Sequence, residues 1–132
     1  MPALVRNRSV PNIVVSNADY ERLTDLATAS LGRLPEVAEE LLAEMDRAKI
    51  VADDSFPPNV VRMGSTVTFR SDDGRELTEQ LVYPMDEDSD AHRISVMTPV
   101  GAALIGLAEG QSILWTARDG RKHELTVVKV KQ

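Results

Sequence analysis

Two adjacent prolines, Pro57 and Pro58, divide a sequence whose apolar residues recur with a helical period on one side and a period of two on the other. Consecutive prolines cannot continue a helix and cannot sit in a central strand, so the stretch ADDSFPPNVV reads as a linker between unlike halves. Its first half must be helical and its second half strand-rich.

Ahead of the linker, residues 1–15 carry Pro2, Arg6, Arg8 and Pro11 and then the short apolar run Ile13-Val14-Val15. Ser16 and Asn17 follow, with side-chain oxygens suited to capping a helix. With Ser16 as N-cap, Asp19 falls at the third helical position, where a short acid meets free backbone N–H groups and the positive end of the dipole. Tyr20, Leu23, Leu26, Ala27 and Leu31 then line one helical face, and Glu21, Arg22 and Asp25 the other. Gly32 supplies a residue that tolerates positive φ, and Pro35 stands where a second helix opens at its first position. In that second helix Val37, Leu41, Met45 and Ala48 form the apolar stripe, while Glu36, Glu39, Glu40, Glu44 and Asp46 fall largely on the other side. Two short helices with facing stripes give an antiparallel helical hairpin.

Beyond the linker, Val67 and Phe69 alternate with polar residues, Ser71-Asp72-Asp73-Gly74 makes a turn, and Leu77, Leu81 and Tyr83 return on a second strand. A third strand contains Ile94 and Val96. Two more, Ile113-Leu114-Trp115 and the run with Leu125, Val127 and Val130, join through Asp119-Gly120. Thr98 caps a short apolar helix, Val100 to Leu107, with Pro99 at its first position, and Glu109-Gly110 ends it. About five mostly antiparallel strands with one covering helix complete a two-layer α+β domain. The expected division is a hairpin over residues 1–50, a linker over 51–59 and a β domain over 60–132.

Charge and composition exclude several function classes. The 132 residues carry 15 Lys and Arg against 21 Asp and Glu, a net charge of −6, with pI near 4.9. Most of that excess lies in the hairpin. Sequence-specific nucleic-acid binding is not expected, because such proteins usually present a basic face. No cysteine occurs, which removes disulfides, thiolate zinc sites and cysteine nucleophiles and fits a reducing compartment. No run approaches the roughly 18–20 apolar residues of a membrane span, and the first twenty residues lack a signal-peptide core. A cytoplasmic protein with no membrane partner is expected.

The residues from Val60 onward resemble the carboxy-terminal domain of Gre-type transcription elongation factors. The resemblance rests on VVRMGSTVTF (Val60 to Phe69), LVYP (Leu81 to Pro84) and above all ISVMTPVGAALIGLAEGQSILW (Ile94 to Trp115). Within that family, the short helical region, the run GAALIGL and the final LTVVKV look most like the Rnk branch, whose members are named as regulators of nucleoside diphosphate kinase. The resemblance implies a β domain like that of FK506-binding proteins, docked on the rim of the secondary channel of bacterial RNA polymerase, with a coiled-coil hairpin pointing into the channel. It further implies that the chemistry turns on the tip. Cleavage factors carry acids at the tip of a much longer coiled coil, where carboxylates hold a Mg²⁺ ion and promote hydrolysis of backtracked RNA. Here the tip reads Arg33, Leu34, Pro35, Glu36, with one acid beside a cation, and about 15 residues of helix reach only roughly 22 Å. Binding without cleavage is therefore expected, in competition with Gre-type factors. The docking loop of the family maps onto Met97, Thr98 and Pro99, where a methionine stands in place of the acid or amide of cleavage factors.

Other constellations point to no enzyme and no cofactor. Asp86, Asp88 and Asp90 have the spacing that opens a calcium loop, but the required glycine and glutamate positions hold Ala91 and Met97. His92 and His123 have no ligand partners at metal-binding spacing, so neither a metal site nor a catalytic residue is expected. G-x-S-x-G and phosphate-cradling glycine motifs are absent. Prolyl isomerisation is the one activity the expected β fold suggests, through an apolar cleft near Trp115, and it stands as an alternative beside partnership with nucleoside diphosphate kinase. Trp115 and Phe69 are read first as core residues.

Overall fold

A computed structural model describes residues 11–132; the expectations placed on Pro2, Arg6 and Arg8 lie outside the described residues. The chain opens with strand β1 (Val14–Ser16), helix α1 (Asn17–Ser30), helix α2 (Pro35–Arg47) and strand β2 (Lys49–Val51). The strand-rich lobe contains β3 (Thr66–Ser71), β4 (Glu76–Val82), β5 (Arg93–Ser95), helix α3 (Pro99–Leu104), β6 (Ser112–Thr116) and β7 (Lys122–Lys131).

Ser16 caps α1 as expected, its Oγ accepting the N–H of Asp19 at 3.2 Å, and Pro35 opens α2 without a side-chain cap. Leu23, Ala27 and Ser30 of α1 and Val37, Ala38, Leu41 and Met45 of α2 are buried. Gly32 does not adopt the left-handed conformation. The helix instead leaves through Leu31 in the right-handed region, and Arg33 and Leu34 both donate to the Ser30 carbonyl, at 3.1 and 2.8 Å. That shared acceptor turns the chain within right-handed geometry, so glycine's extra freedom goes unused.

The five-stranded sheet has the order β5-β4-β3-β7-β6. Its pairs are antiparallel except β4 with β5, which run parallel. A β-bulge between Thr68 and Phe69 bends β3 against β7. The third strand spans Arg93–Ser95 rather than reaching Val96, and α3 ends at Leu104 rather than Leu107, because the chain turns at Gly106 with φ +83° to bring Leu107 back under the sheet.

A second, two-stranded parallel sheet pairs β1 with β2, and it fastens the hairpin to the lobe. Val14 donates to the Gly106 carbonyl at 3.1 Å and Lys49 to that of Ile13 at 2.9 Å. Ile13 sits so close that a Cβ on Gly106 would lie 2.8 Å from its own Cβ. The residues between hairpin and lobe are correspondingly ordered by contacts: a 3₁₀ turn at Asp53–Ser55 supplies Asp53, whose Oδ1 accepts the N–H of Ala18 at 3.0 Å. One contiguous core runs from Ile13, Leu23 and Leu41 through Val61, Leu104 and Leu107 to Val67, Leu81, Leu125 and Val127. Fully burying side chains of this size stabilises a fold by about 1.5–3 kcal/mol each before entropy is counted. The hairpin is therefore held by the same packing that holds the sheet. Among the described residues, no helix is long and apolar enough to cross a membrane.

Candidate functional site

The two segments singled out by sequence, the hairpin tip and the loop before α3, face each other. Arg33, Leu34, Pro35 and Glu36 line a groove of about 740 Å³ together with Met97 and Pro99, and the turn between β6 and β7 closes its far side with Thr116, Ala117 and Arg118. All four tip residues are exposed. They are placed there because α2 packs on α3, which carries the hairpin across the lobe rather than away from it.

The loop itself presents less surface than its sequence suggests. Met97 is buried, with 5% of its surface exposed. The Thr98 hydroxyl is engaged twice within the fold: Oγ1 accepts the N–H of Gly101 at 3.1 Å and donates to the Ser95 carbonyl at 2.7 Å. Pro99 is half-buried. Thr98 thus serves as the N-cap of α3, and the accessible part of the three is shared by Thr98 and Pro99, both half-buried. Gly101 is obligatory in this arrangement, since a Cβ there would fall 2.1 Å from the Ser95 carbonyl oxygen.

Electrostatics along the groove come mainly from α2. Glu36, Glu40 and Glu44 are four residues apart and share one face of the helix, where like charges at this spacing repel. Burial pushes the Glu40 carboxyl above its ordinary range, and the charges of Glu36 and Glu44 add to the rise. Glu44 is partly neutralised by Arg47, Nη2 to Oε1 at 2.7 Å. Arg33 lies on the same side as Glu36, in the tip, and Arg118 stands on the turn between β6 and β7.

A second cleft, about 480 Å³, opens on the concave face of the sheet over Phe69, Ile94, Val100, Trp115 and Leu125, with Asp72, Glu79 and Arg93 at its rim. Phe69 is buried as expected for a core residue, whereas Trp115 is half-buried and its Nε1, shielded from solvent, has no hydrogen-bond partner among the described residues. His123 is partly exposed, its ring 5.2 Å from that of Trp115 and its Nδ1 3.5 Å from Asp72 Oδ2. Only the strand pairing of Trp115 with His123 reveals this neighbourhood.

The aspartate run closes a turn. Asp88 Oδ1 accepts the N–H groups of Asp90 and Ala91 at 3.1 and 3.3 Å, and among the described residues no three His, Cys, Asp or Glu side chains gather as a metal-holding group. His92 is exposed, with φ +57°, and its Nδ1 is 3.4 Å from Glu79 Oε2.

Residues 56–132 match the family described as "Transcription elongation factor, GreA/GreB, C-term", and residues 11–51 match the "Rnk N-terminus" family. The chain is 39% identical over 124 residues to the regulator of nucleoside diphosphate kinase of Escherichia coli K12, covering 92% of this chain and 90% of that protein. It is 34% identical over 115 residues to transcription elongation factor GreA of Rhodospirillum rubrum, covering 86% and 71%. A solved structure, the prokaryotic transcription elongation factor GreA/GreB from Nitrosomonas europaea, superposes with a TM-score of 0.73 at 38% identity, covering 92% of this chain and all of that one.

Proposed function

Because this chain belongs to the GreA/GreB transcription elongation factor family and carries the Rnk amino-terminal module, we propose that it is a regulator of transcription that binds bacterial RNA polymerase at its secondary channel without stimulating transcript cleavage. The strand-rich lobe, in the manner of an FK506-binding-protein-like domain, takes the channel rim at Pro99 and the surface around Met97 and Thr98. The hairpin tip, Arg33 to Glu36, enters or covers the channel mouth.

The observation that carries this reading is the tip itself. Helices of 14 and 13 residues extend about 20 Å, and their turn exposes one carboxylate, Glu36, three residues from the guanidinium of Arg33. A divalent ion held for hydrolysis usually takes one or two carboxylates together with substrate oxygens, and a neighbouring cation opposes its binding. A tip of this charge occupies space and supplies no second acid, so the protein acts by occlusion and competition, in the cytoplasm where the polymerase works.

The test is co-purification with core polymerase. Association that a Gre factor displaces supports the reading, and failure to associate at micromolar concentration overturns it. A second reading, a regulatory partnership with nucleoside diphosphate kinase, is favoured by the name of the Escherichia coli relative; direct binding of the two purified proteins would support it. Prolyl isomerisation is less well supported, since Phe69 and Trp115 are the only aromatic residues lining the concave cleft besides the His123 ring.

A further inference from the structure

The last strand of the sheet, β6, has an unpaired edge, and a trough runs along it. Among the described residues β6 pairs only with β7. Ladder hydrogen bonds join Val127 to Gln111 at 2.9 Å on one side of β6 and Ala117 to Arg121 at 2.8 Å on the other. The register between these points is unbroken, and paired and unpaired positions alternate in an antiparallel ladder. The backbone N–H and C=O groups of Ser112, Leu114 and Thr116 therefore point to the free edge. Exposed edges of this kind are usually blunted by lysine, proline or a cover; β6 reads Ser-Ile-Leu-Trp-Thr, and Leu114 is 46% exposed.

α2 lies along this edge at a distance. It packs on α3, and α3 packs on β6, so a space remains between α2 and the strand. Near Leu114 that space is bounded by Glu40 and Glu44, and near Thr116 and Arg118 by Glu36 and Glu40, with Pro99 in the floor throughout. The α2 wall of the trough is thus a row of carboxylates, of which Glu36 and Glu40 have no ion-pair partner among the described residues; Arg33 and Arg118 stand only at the tip end, and the stretch beside Leu114 has no lining cation.

We propose that this trough takes an extended, basic segment of a partner protein, which adds to the sheet beside β6 and sets lysine or arginine side chains against Glu36 and Glu40. Main-chain hydrogen bonds to Leu114 and Thr116 supply the attachment and alternate side chains supply the selectivity, as in other strand additions. Charge decides the occupant. A second copy pairing β6 to β6 would bring together two carboxylate rows on chains of net charge −6, whereas a basic strand relieves the repulsion that α2 carries. The inference does not depend on polymerase binding, although the trough shares Pro99 and Glu36 with the surface proposed for it.

The test uses the full chain and an eight-residue peptide alternating lysine and threonine. Amide hydrogen exchange at Leu114 and Thr116 is expected to slow when this peptide is added and to remain unchanged with its glutamate-threonine counterpart. Methylating every second peptide amide, in each of the two frames, is expected to abolish binding in one frame. The double variant Glu36→Gln, Glu40→Gln is expected to bind about tenfold more weakly, with an unchanged unliganded amide spectrum as the check on folding. The inference is overturned if the lysine peptide does not bind, if the acidic peptide or both methylated frames bind as well as the parent, or if Leu114 and Thr116 are already protected in a dimer of this chain.

Discussion

The backbone N–H of Met63 donates to Asp19 Oδ2 at 3.1 Å, joining the first turn of α1 to the start of the strand-rich lobe across 44 residues of sequence. Asp19 donates its own N–H to Ser16 Oγ, so one aspartate both completes a helix cap and holds the hairpin to the sheet. Beside it Arg22 lies 4.2 Å from the centre of the Tyr83 ring, and Tyr83 is pushed above its ordinary phenol range by burial and by the charge of Asp19, with Arg22 opposing.

Asp19→Ala is expected to destabilise the whole chain by about 1.5–3 kcal/mol, the usual cost of losing a hydrogen bond to a charged acceptor. Urea unfolding followed by far-ultraviolet circular dichroism checks it. A single transition is expected for the variant and for the parent chain, because hairpin and lobe share a core; separate transitions would contradict that coupling.

Gly101→Ala is expected to cost about 3 kcal/mol or more, since the new methyl meets the Ser95 carbonyl and the Val96 backbone rather than a side chain able to move. Thr98→Ala, which removes only the cap, is expected to cost about 1 kcal/mol. Thermal unfolding of the two variants side by side checks the ranking.

Glu40→Gln is expected to stabilise the protein at neutral pH by about 0.3–0.5 kcal/mol, the range for removing like-charge neighbours on a helix. The sign follows from linkage. The carboxyl titrates above its ordinary value in the folded state, so the proton is bound more tightly there than in the unfolded chain, and ionisation as pH rises costs stability. The advantage of the variant is therefore expected at pH 7 and to vanish below the ordinary glutamate range, as measured by urea midpoints at both pH values.

The hairpin was legible because its signals are local: Ser16 caps, Pro35 opens a helix and the stripes keep a helical spacing. β1 and β2 were not legible, because three-residue strands carry no period and their parallel pairing depends on where α1 and α2 return the chain. The turn at Gly32 departs from the left-handed geometry its sequence suggests for a related reason, since glycine permits such a turn without requiring one. At the candidate site, sequence singles out the tip and the Met97 to Pro99 loop separately, and their meeting across one groove follows from α2 lying on α3. Met97 looked available for contact and is buried, and the free edge of β6 emerges only from strand order.

Arg33→Ala and Glu36→Ala are expected to leave the fold unchanged, within about 0.5 kcal/mol, as both side chains are exposed. If the tip acts by filling space, each variant retains polymerase association and competition within a few-fold. A loss of association with either one would place the main contact at the tip rather than on the lobe.

The most direct measurement is transcript cleavage in a backtracked elongation complex held at a fixed concentration of a Gre-type cleavage factor while this protein is added. Cleavage is expected to fall with dose to the rate of polymerase alone, and the protein without the cleavage factor is expected to leave that rate unchanged. Cleavage that is indifferent to a saturating dose, or that the protein accelerates unaided, would contradict a factor that binds the channel without hydrolysing RNA.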